Sequence, residues 1–249
     1  MWSAFIRSRI GLFHKRDRNF REAAEPIVFP VEREALVDGK FRFAEGIAFN
    51  GEGRLYVTAD DALWEVMTDG DVKRLADLHS CLGIAPIGER DILVADFGPK
   101  LAIRHGPNND GLILADDERT LYVAQIFKSI NPVVCDDRVW RIPLRDGRPA
   151  GEPEVAFATG GVGCNDGLAM DAEGRIYVAA NREGRIWRFD PAGGPSVVIA
   201  KQDAASIAFG AGKFDRHSIY LAELKGGRIL KVPVGVSGAE LNQGSSERQ

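Results

Sequence analysis

An internal repeat constrains the fold of this chain more than any other feature of its sequence. Each copy begins with a small apolar strand, crosses a polar turn and continues with an apolar strand that ends in Val-Ala or a similar pair. Short strands that recur at roughly 40 residues are typical of the blades of a β-propeller. We therefore predict an all-β protein with a propeller fold. Five copies are visible, and they begin at Glu45, Leu82, Asp110, Asp166 and Ala205.

Each copy is read as strand, turn, strand, turn and strand. Third strands such as "RIWRF" and "RVWRI" alternate basic and apolar residues, as expected of half-buried strands. A fourth, outer strand is predicted at "VKRLADL", "EVAFAT" and "SVVIA". A β-sandwich would also contain many short strands, but it would not repeat the same unit along the chain.

The second copy is shorter than the others. About 28 residues separate Gly83 from Gly111, which is less than one propeller repeat. The ring is therefore expected to have five blades, or six with one shortened or missing. The segment "PIVFPVEREALVDG" lacks partners of its own and is predicted to complete the last blade, which would leave no open sheet edge. The expected propeller spans residues 26–236, between a basic leader at 1–25 and a polar tail at 237–249.

Composition excludes several classes of protein. The net charge of −4 over 249 residues argues against nucleic-acid binding, which needs a clustered excess of Lys and Arg. No apolar run approaches the length of a membrane span. Cys81, Cys135 and Cys164 show no metal-ligand spacing and are expected to be free or buried thiols in a reducing compartment. We therefore expect a cytoplasmic monomer or weak homodimer.

Acids directly precede glycine at the start of three copies, in Glu45-Gly46, Asp110-Gly111 and Asp166-Gly167. Residues at equivalent blade positions are expected to meet around the propeller axis, at one mouth of the central tunnel. Carboxylate and amide oxygens without His or Cys suit a hard divalent cation. A single Asp-Gly pair is more often a turn, but three pairs at equivalent positions favour a metal site. The predicted ligands are Glu45, Asn109, Asp110 and Asp166.

Other polar residues are candidates for contact with a substrate. Arg104 precedes the third copy and suits an anionic or hydroxylated ligand, although a solvated loop is an equally ordinary role for it. Asn165 can add an amide oxygen beside Asp166, and Asn181 follows a second strand. The sequence contains no nucleophile elbow, phosphate-binding loop or dinucleotide fingerprint.

The stretch "NDGLAMDAEGRIYVAANREGRIWRFDPAGG", with "SIAFGAGKFDRHSIYLAE" after it, resembles the last blades of the regucalcin/gluconolactonase family. The segments "DGLILADDERTLYVA" and "EGIAF" resemble earlier blades of the same family. This resemblance implies a six-bladed propeller that holds one divalent cation and opens sugar or related lactones. It implies that Glu45 and Asp166 are cation ligands, that Asn109 or Asp110 is a third, and that Asp166 is also the general base. Ca²⁺ is the favoured ion, with Mg²⁺, Mn²⁺ or Zn²⁺ as alternatives.

Three functions remain open at this point. The first is a metal-dependent lactonase in which Asp166 accepts a proton from the attacking water, while groups such as Arg104 and Asn181 orient the substrate. The second is a propeller that binds a small molecule, a metal or a protein without catalysis, which the short second copy would explain. The third is an enzyme similar to strictosidine synthase, which uses a carboxylate as a base and no metal.

Overall fold

We describe this protein from a computed structural model, which places residues 32–79, 81–87, 89–96, 109–115, 119–191 and 194–240 of the 249. The predicted leader at 1–25 and residues 241–249 of the predicted tail lie outside the described residues. Within the described ranges the chain is almost entirely β, and its only helical element is a 3₁₀ turn at Asn181–Glu183. No helix in these ranges has the length and apolar character needed to span a bilayer.

The repeat pattern corresponds to a regular series of short strands. Apolar residues alternate or run continuously along them, and polar turns with glycine or aspartate separate them. The strands are β1 (Glu34–Val37), β2 (Ala44–Phe49), β3 (Leu55–Ala59), β4 (Ala62–Val66), β5 (Val72–Asp77), β6 (Cys81–Ile87), β7 (Asp91–Asp96), β8 (Asn109–Leu114), β9 (Thr120–Gln125), β10 (Phe127–Ile130), β11 (Val133–Cys135), β12 (Arg138–Arg145), β13 (Arg148–Pro149), β14 (Glu154–Ala158), β15 (Asn165–Met170), β16 (Ile176–Ala180), β17 (Arg185–Asp190), β18 (Gly194–Ala200), β19 (Ala204–Phe209), β20 (Ser218–Glu223) and β21 (Ile229–Pro233).

The strands form antiparallel sheets that follow the sequence repeats. Three sheets are meanders in chain order: β2-β3-β4-β5, β8-β9-β12-β14 and β15-β16-β17-β18, with β13 added beside β12 in the second. The predicted outer strands are confirmed as β5, β14 and β18. Within the described residues, the short second copy forms the two-stranded sheet β6-β7, and residues 97–108 after it lie outside the described ranges. Strands β10 and β11 form a separate hairpin.

The first strands of the sheets lie next to one another. Strand β2 contacts β6 on one side and β19 on the other, and β15 contacts β19 and β8. The order across the molecule is therefore β6, β2, β19, β15 and β8. This arrangement confirms the propeller prediction for the five described sheets, whereas a sixth blade remains a prediction.

The first described strand completes the last sheet, as the sequence predicted. Strand β1 pairs antiparallel with β21, so that the sheet runs β1-β21-β20-β19 and joins the two ends of the described chain. Val37 at the end of β1 is buried in the core between the first and last sheets. Phe49 in that core packs edge-on against Phe214 and Tyr220.

Third-strand tryptophans contribute to packing between sheets, as expected. Trp140 and Trp187 are buried, while Trp64 is partly buried against the first core cluster. Each of the three pairs with a valine of the neighbouring second strand. Their role is therefore structural.

Strands β7 and β8 are less buried than the strands at the same positions of the fourth repeat. Leu112 in β8 is 61% exposed, whereas Leu168 at the same position of β15 is 8% exposed. Leu93 in β7 is 58% exposed, whereas Tyr177 at the same position of β16 is fully buried. Among the described residues, β7 and β8 thus expose apolar side chains at positions that are buried in the fourth repeat.

One expectation about the cysteines is wrong. Cys135, at the end of β11, is bonded to Cys164, just before β15, in a disulfide. The spacing of 29 residues gave no signal of this pairing because the contact depends on how two neighbouring blades approach. Only Cys81 remains outside a disulfide among the three cysteines.

Candidate metal and ligand site

Each acid–glycine pair lies in a β-bulge at the start of a first strand. The register shifts between Ala44 and Ile47 in β2, between Asn109 and Leu112 in β8, and between Asn165 and Leu168 in β15. A bulge re-aims the side chains that it contains. The predicted equivalence of Glu45, Asp110 and Asp166 is therefore reflected in the same local distortion at the same end of three sheets. We call this end, together with the ends of the second strands that pair with it, the mouth.

Ordinary turns account for the other Asp-Gly pairs of the chain. The glycines of Asp38-Gly39, Asp69-Gly70 and Asp146-Gly147 have φ of +66°, +84° and +67°, as turns require. Gly167 lies inside β15 without a positive φ. The turn interpretation is thus correct for those three pairs and does not apply to Asp166-Gly167.

Gly167 allows two first strands to approach closely. A Cβ atom at this position would lie 2.5 Å from the Cα of Ser206 and 2.8 Å from the carbonyl oxygen of Ala205. Both residues belong to β19, the first strand of the next sheet. The glycine is therefore needed for packing between blades, and this packing places Asp166 against the neighbouring blade.

Asp166 and Asn181, two of the residues that the sequence named as site candidates, are hydrogen-bonded to each other. Asp166 is 6% exposed, and its Oδ2 accepts a hydrogen bond of 2.8 Å from Nδ2 of Asn181. Asn181 begins the 3₁₀ turn after β16, and its backbone N–H donates to the carbonyl of Cys164 at 3.3 Å. This network fixes the orientation of the buried carboxylate.

Asn165 is fully buried, and neither atom of its side-chain amide has a hydrogen-bond partner in the described structure. The same position is occupied by buried Ala44 in β2 and Ala204 in β19. A buried polar group without a partner costs about 1–3 kcal/mol. An amide kept at this cost, beside Asp166, is a candidate for binding a ligand.

The structure gives fewer contacts for the other residues that the sequence predicted for the site. Glu45 is half-buried in the β2 bulge, and the N–H of the next residue donates to Oγ1 of Thr58 at 2.9 Å. Asn109 pairs with Gln125 across β8 and β9, and Asp110 follows in the β8 bulge. Arg104 lies outside the described residues.

Gln125 was not predicted as a site residue. It is 6% exposed at the end of β9; its Nε2 donates to the carbonyl of Phe127 at 2.9 Å, whereas Oε1 has no partner in the described structure. The available signal was its place after "YVA", at the end of a second strand. Its register position is that of Ala180 in β16 and Glu223 in β20.

Glu223 has a structural role at the mouth. Its carboxylate accepts hydrogen bonds from Arg228 at 2.6 and 2.8 Å and from Nε2 of Gln202 at 3.1 Å. These bonds raise the pKa of Arg228. Burial raises the pKa of nearby Asp203, to which the charge of Glu223 adds. Glu223 is therefore engaged in an ion pair at this edge of the mouth.

The candidate ligand residues at the mouth carry the oxygen atoms that a hard cation prefers, although they do not form a cluster of acidic side chains. Among the described side chains, no three His, Cys, Asp or Glu residues lie close enough together to hold a metal. At the mouth, the amide oxygens of Asn165 and Gln125 are buried and have no hydrogen-bond partner among the described residues. Neutral amide oxygens combined with carboxylates are common ligands of Ca²⁺. The residues present thus fit such an ion.

Comparison with known proteins gives a family match over about half of the chain. Residues 104–222 match the family described as the SMP-30/Gluconolactonase/LRE-like region. This range includes the third and fourth copies and most of the fifth, and it contains Asp166 and Asn181. A comparison with curated protein sequences found no match.

Solved structures share the fold at low identity. Regucalcin from Agrobacterium tumefaciens, described as a calcium-binding protein, is 17% identical with a TM-score of 0.66, covering 85% of this chain and 96% of that one. A gluconolactonase from Xanthomonas campestris is 20% identical with a TM-score of 0.50, covering 80% and 74%. Virginiamycin B lyase from Staphylococcus aureus is 10% identical with a TM-score of 0.54, covering 82% and 99%.

These likenesses establish the fold, which supports more than one chemistry. The family assignment depends on the sequence match, and this match falls on the blades that the sequence resemblance had singled out. Residues 104–222, just under half of the chain, therefore match the SMP-30/Gluconolactonase/LRE-like region, which confirms the resemblance to the regucalcin/gluconolactonase family.

Proposed function

We propose that this protein is a divalent-cation-dependent hydrolase that opens a sugar-derived or related small lactone. The observation that supports this most is the mouth of the fourth repeat. There a buried carboxylate, oriented by Asn181, lies next to the fully buried Asn165 amide, which has no partner in the described structure. The family match covers these residues.

The cation would be held by Glu45 and Asp166, with amide oxygens from the neighbouring first strands. Asn109 or Asp110 supplies the third blade's contribution, and Asn165 or Gln125 can complete the set. When bound, the cation supplies Lewis acidity at the lactone carbonyl and lowers the pKa of a bound water.

The chain's own residues supply binding and proton transfer. Asn181 holds the Asp166 carboxylate in one orientation through its hydrogen bond to Oδ2. Asp166 accepts the proton of water as the water oxygen adds to the lactone carbonyl. The same proton goes to the ring oxygen when the C–O bond breaks, so that the product is a hydroxy acid. Arg104 and Asn181 orient substrate hydroxyls in this proposal.

Acid release from a panel of glucono- and other small lactones tests the proposal. We expect hydrolysis that a chelator abolishes and added Ca²⁺ or another divalent ion restores. Asp166→Asn keeps the side-chain volume but removes the base, and we expect its rate to fall by about 10²–10⁴-fold. Asp146→Asn is the matched control, because Asp146 also precedes glycine but lies in an exposed hairpin turn that asparagine tolerates. Absence of hydrolysis across the panel with metal added contradicts the proposal.

A non-catalytic binding propeller is the second candidate. The exposed Leu93 and Leu112 favour it, because a shortened second repeat would leave one side of the ring less covered than the rest. This function predicts cation or ligand binding without turnover. Measurable turnover in the lactone assay removes it.

A further inference from the structure

The disulfide is attached directly to the residues of the mouth. Cys164 immediately precedes Asn165 and Asp166, and its carbonyl accepts the backbone N–H of Asn181. The guanidinium of Arg182, the next residue, lies 4.0 Å from Sγ of Cys135. Any movement of Cys164 would therefore be transmitted to both partners of the Asp166–Asn181 hydrogen bond.

The backbone before Asn165 adopts a conformation that it would not keep unaided. Gly163 and Cys164 have φ of +76° and +60°, and a positive φ at a residue other than glycine costs free energy. The carbonyl of Asp136 accepts the N–H groups of Cys164 at 2.9 Å and Asn165 at 3.4 Å. Two backbone bonds and one covalent bond thus hold this kink.

The other end of the disulfide lies on a hairpin inserted between the second and third strands of the third repeat, which the described parts of the first, fourth and fifth repeats lack. The connection between β3 and β4 is only two residues long, Asp60 and Asp61, whereas β9 and β12 are separated by the β10-β11 hairpin. Val133 and Val134, in strand β11 of this hairpin, are 55% and 44% exposed. Because β9 ends at the mouth, the disulfide ties this inserted hairpin to the segment that carries Asp166.

We propose that the Cys135–Cys164 disulfide is a redox-sensitive tether that holds the Asn165–Asp166 segment in its binding geometry. An external dithiol reduces it: the S–S bond takes up two electrons and two protons, and the dithiol becomes a disulfide. Cys135 is half-buried, so that one sulfur is approachable. After reduction Cys164 can leave its left-handed conformation, which releases the kink and weakens binding at the mouth. The redox state of the disulfide thus regulates the proposed cation site itself, so this inference rests on the proposed function.

Hydrogen exchange of the oxidised and reduced protein tests the tether independently of activity. We expect the amides of Cys164 and Asn165 to exchange about tenfold faster after reduction by dithiothreitol and to regain protection on reoxidation. The N–H of Gly174 donates to the carbonyl of Asp171 at the opposite end of the same sheet. This amide is the internal control, and its exchange rate should not change. Equal exchange of the Cys164 and Asn165 amides in both states overturns the proposal.

Cation binding by calorimetry gives the second readout. We expect Ca²⁺ affinity to fall severalfold on reduction, and the double variant Cys135→Ser/Cys164→Ser to show the lower affinity whatever the redox state. Cys81→Ser removes the third thiol and should leave the response intact. If neither state binds a cation, the proposed function fails while the exchange measurement still decides the tether. If reduction speeds the amide exchange but leaves a measurable Ca²⁺ affinity unchanged, the disulfide has no role in cation binding and that part of the proposal is overturned.

Discussion

Two buried asparagines show how burial and hydrogen bonding separate structural from functional side chains. Asn50 is 1% exposed, and its amide is satisfied: Nδ2 donates to the carbonyl of Arg90 at 3.2 Å and Oδ1 accepts the N–H of Arg54 at 2.9 Å. Asn165 is equally buried, yet neither atom of its amide is bonded in the described structure. The first therefore stabilises a turn, whereas the second is available to a ligand.

Replacing each asparagine by alanine should have opposite consequences. We expect Asn50→Ala to lower the free energy of unfolding by about 1–3 kcal/mol, because it removes the partner of the Arg54 N–H and of the Arg90 carbonyl. Asn165→Ala should leave that free energy within about 1 kcal/mol of wild type or raise it, since it removes an unpaired polar group. Ala44 and Ala204 already occupy its position in other blades. Denaturant unfolding measures both effects, and activity should fall only for Asn165→Ala.

Equal destabilisation by the two substitutions would show that Asn165 has a structural role and would remove it from the site. The sequence alone singled out Asn165 from its place beside Asp166. The sequence could not distinguish Asn165 from Asn50, because whether a buried amide finds hydrogen-bond partners depends on its tertiary surroundings.

At the scale of the strand, the same register recurs in every blade. All four tyrosines of the chain occupy one position of the second strand, three residues before the residue that pairs with the first strand ahead of the bulge. Leu93 takes this place in the short repeat. Because side chains alternate across a strand, such a position is predictable from the repeated "LYV" and "IYV" patterns. The bulges cannot be predicted from this pattern, because a register shift depends on the partner strand.

Packing between first strands predicts a strong effect of Gly167→Ala. Its Cβ would meet the backbone of Ser206 and Ala205 in β19, which has no freedom to move away. We expect a loss of at least about 2 kcal/mol in the free energy of unfolding. Gly174→Ala is the matched comparison: it also adds one methyl group, has nothing within 4 Å, and should cost about 1 kcal/mol from its φ of +77°. A Gly167→Ala variant as stable as wild type contradicts the described approach of β15 to β19.

Tyr177 predicts how stability depends on alkaline pH. Burial raises its pKa from 10.0 to about 12, and the charge of Asp171 adds to this effect. Between these values the folded state keeps the phenolic proton while the unfolded state has lost it, so stability falls as pH rises. A shift of this size corresponds to about 2–3 kcal/mol between pH 10 and 12. Tyr177→Phe should flatten this part of the stability curve in denaturant unfolding at a series of pH values, and an unchanged slope contradicts the prediction.

At the scale of the whole molecule, the sequence predicted most of the architecture. The five repeats, their outer strands and the completion of the last sheet by β1 all follow from one repeated pattern. The β10-β11 hairpin was missed because it breaks the repeated pattern, and the Cys135–Cys164 bond was missed because it joins that hairpin to the start of the next repeat. Of the site, the sequence named Asp166 and Asn181 as separate candidates, and their hydrogen bond is a finding of the structure. Gln125 required the structure, because only burial reveals its unpaired oxygen.

The central claim is that oxygen donors from different blades act on one cation at the mouth. Calorimetric titration of Ca²⁺ into wild type, Glu45→Gln and Asp166→Asn tests it most directly, with Asp146→Asn as control. The account predicts one cation per chain, with affinity lowered at least about tenfold by each of the two mouth substitutions and unchanged in the control. An affinity that either Glu45→Gln or Asp166→Asn leaves unchanged would contradict it.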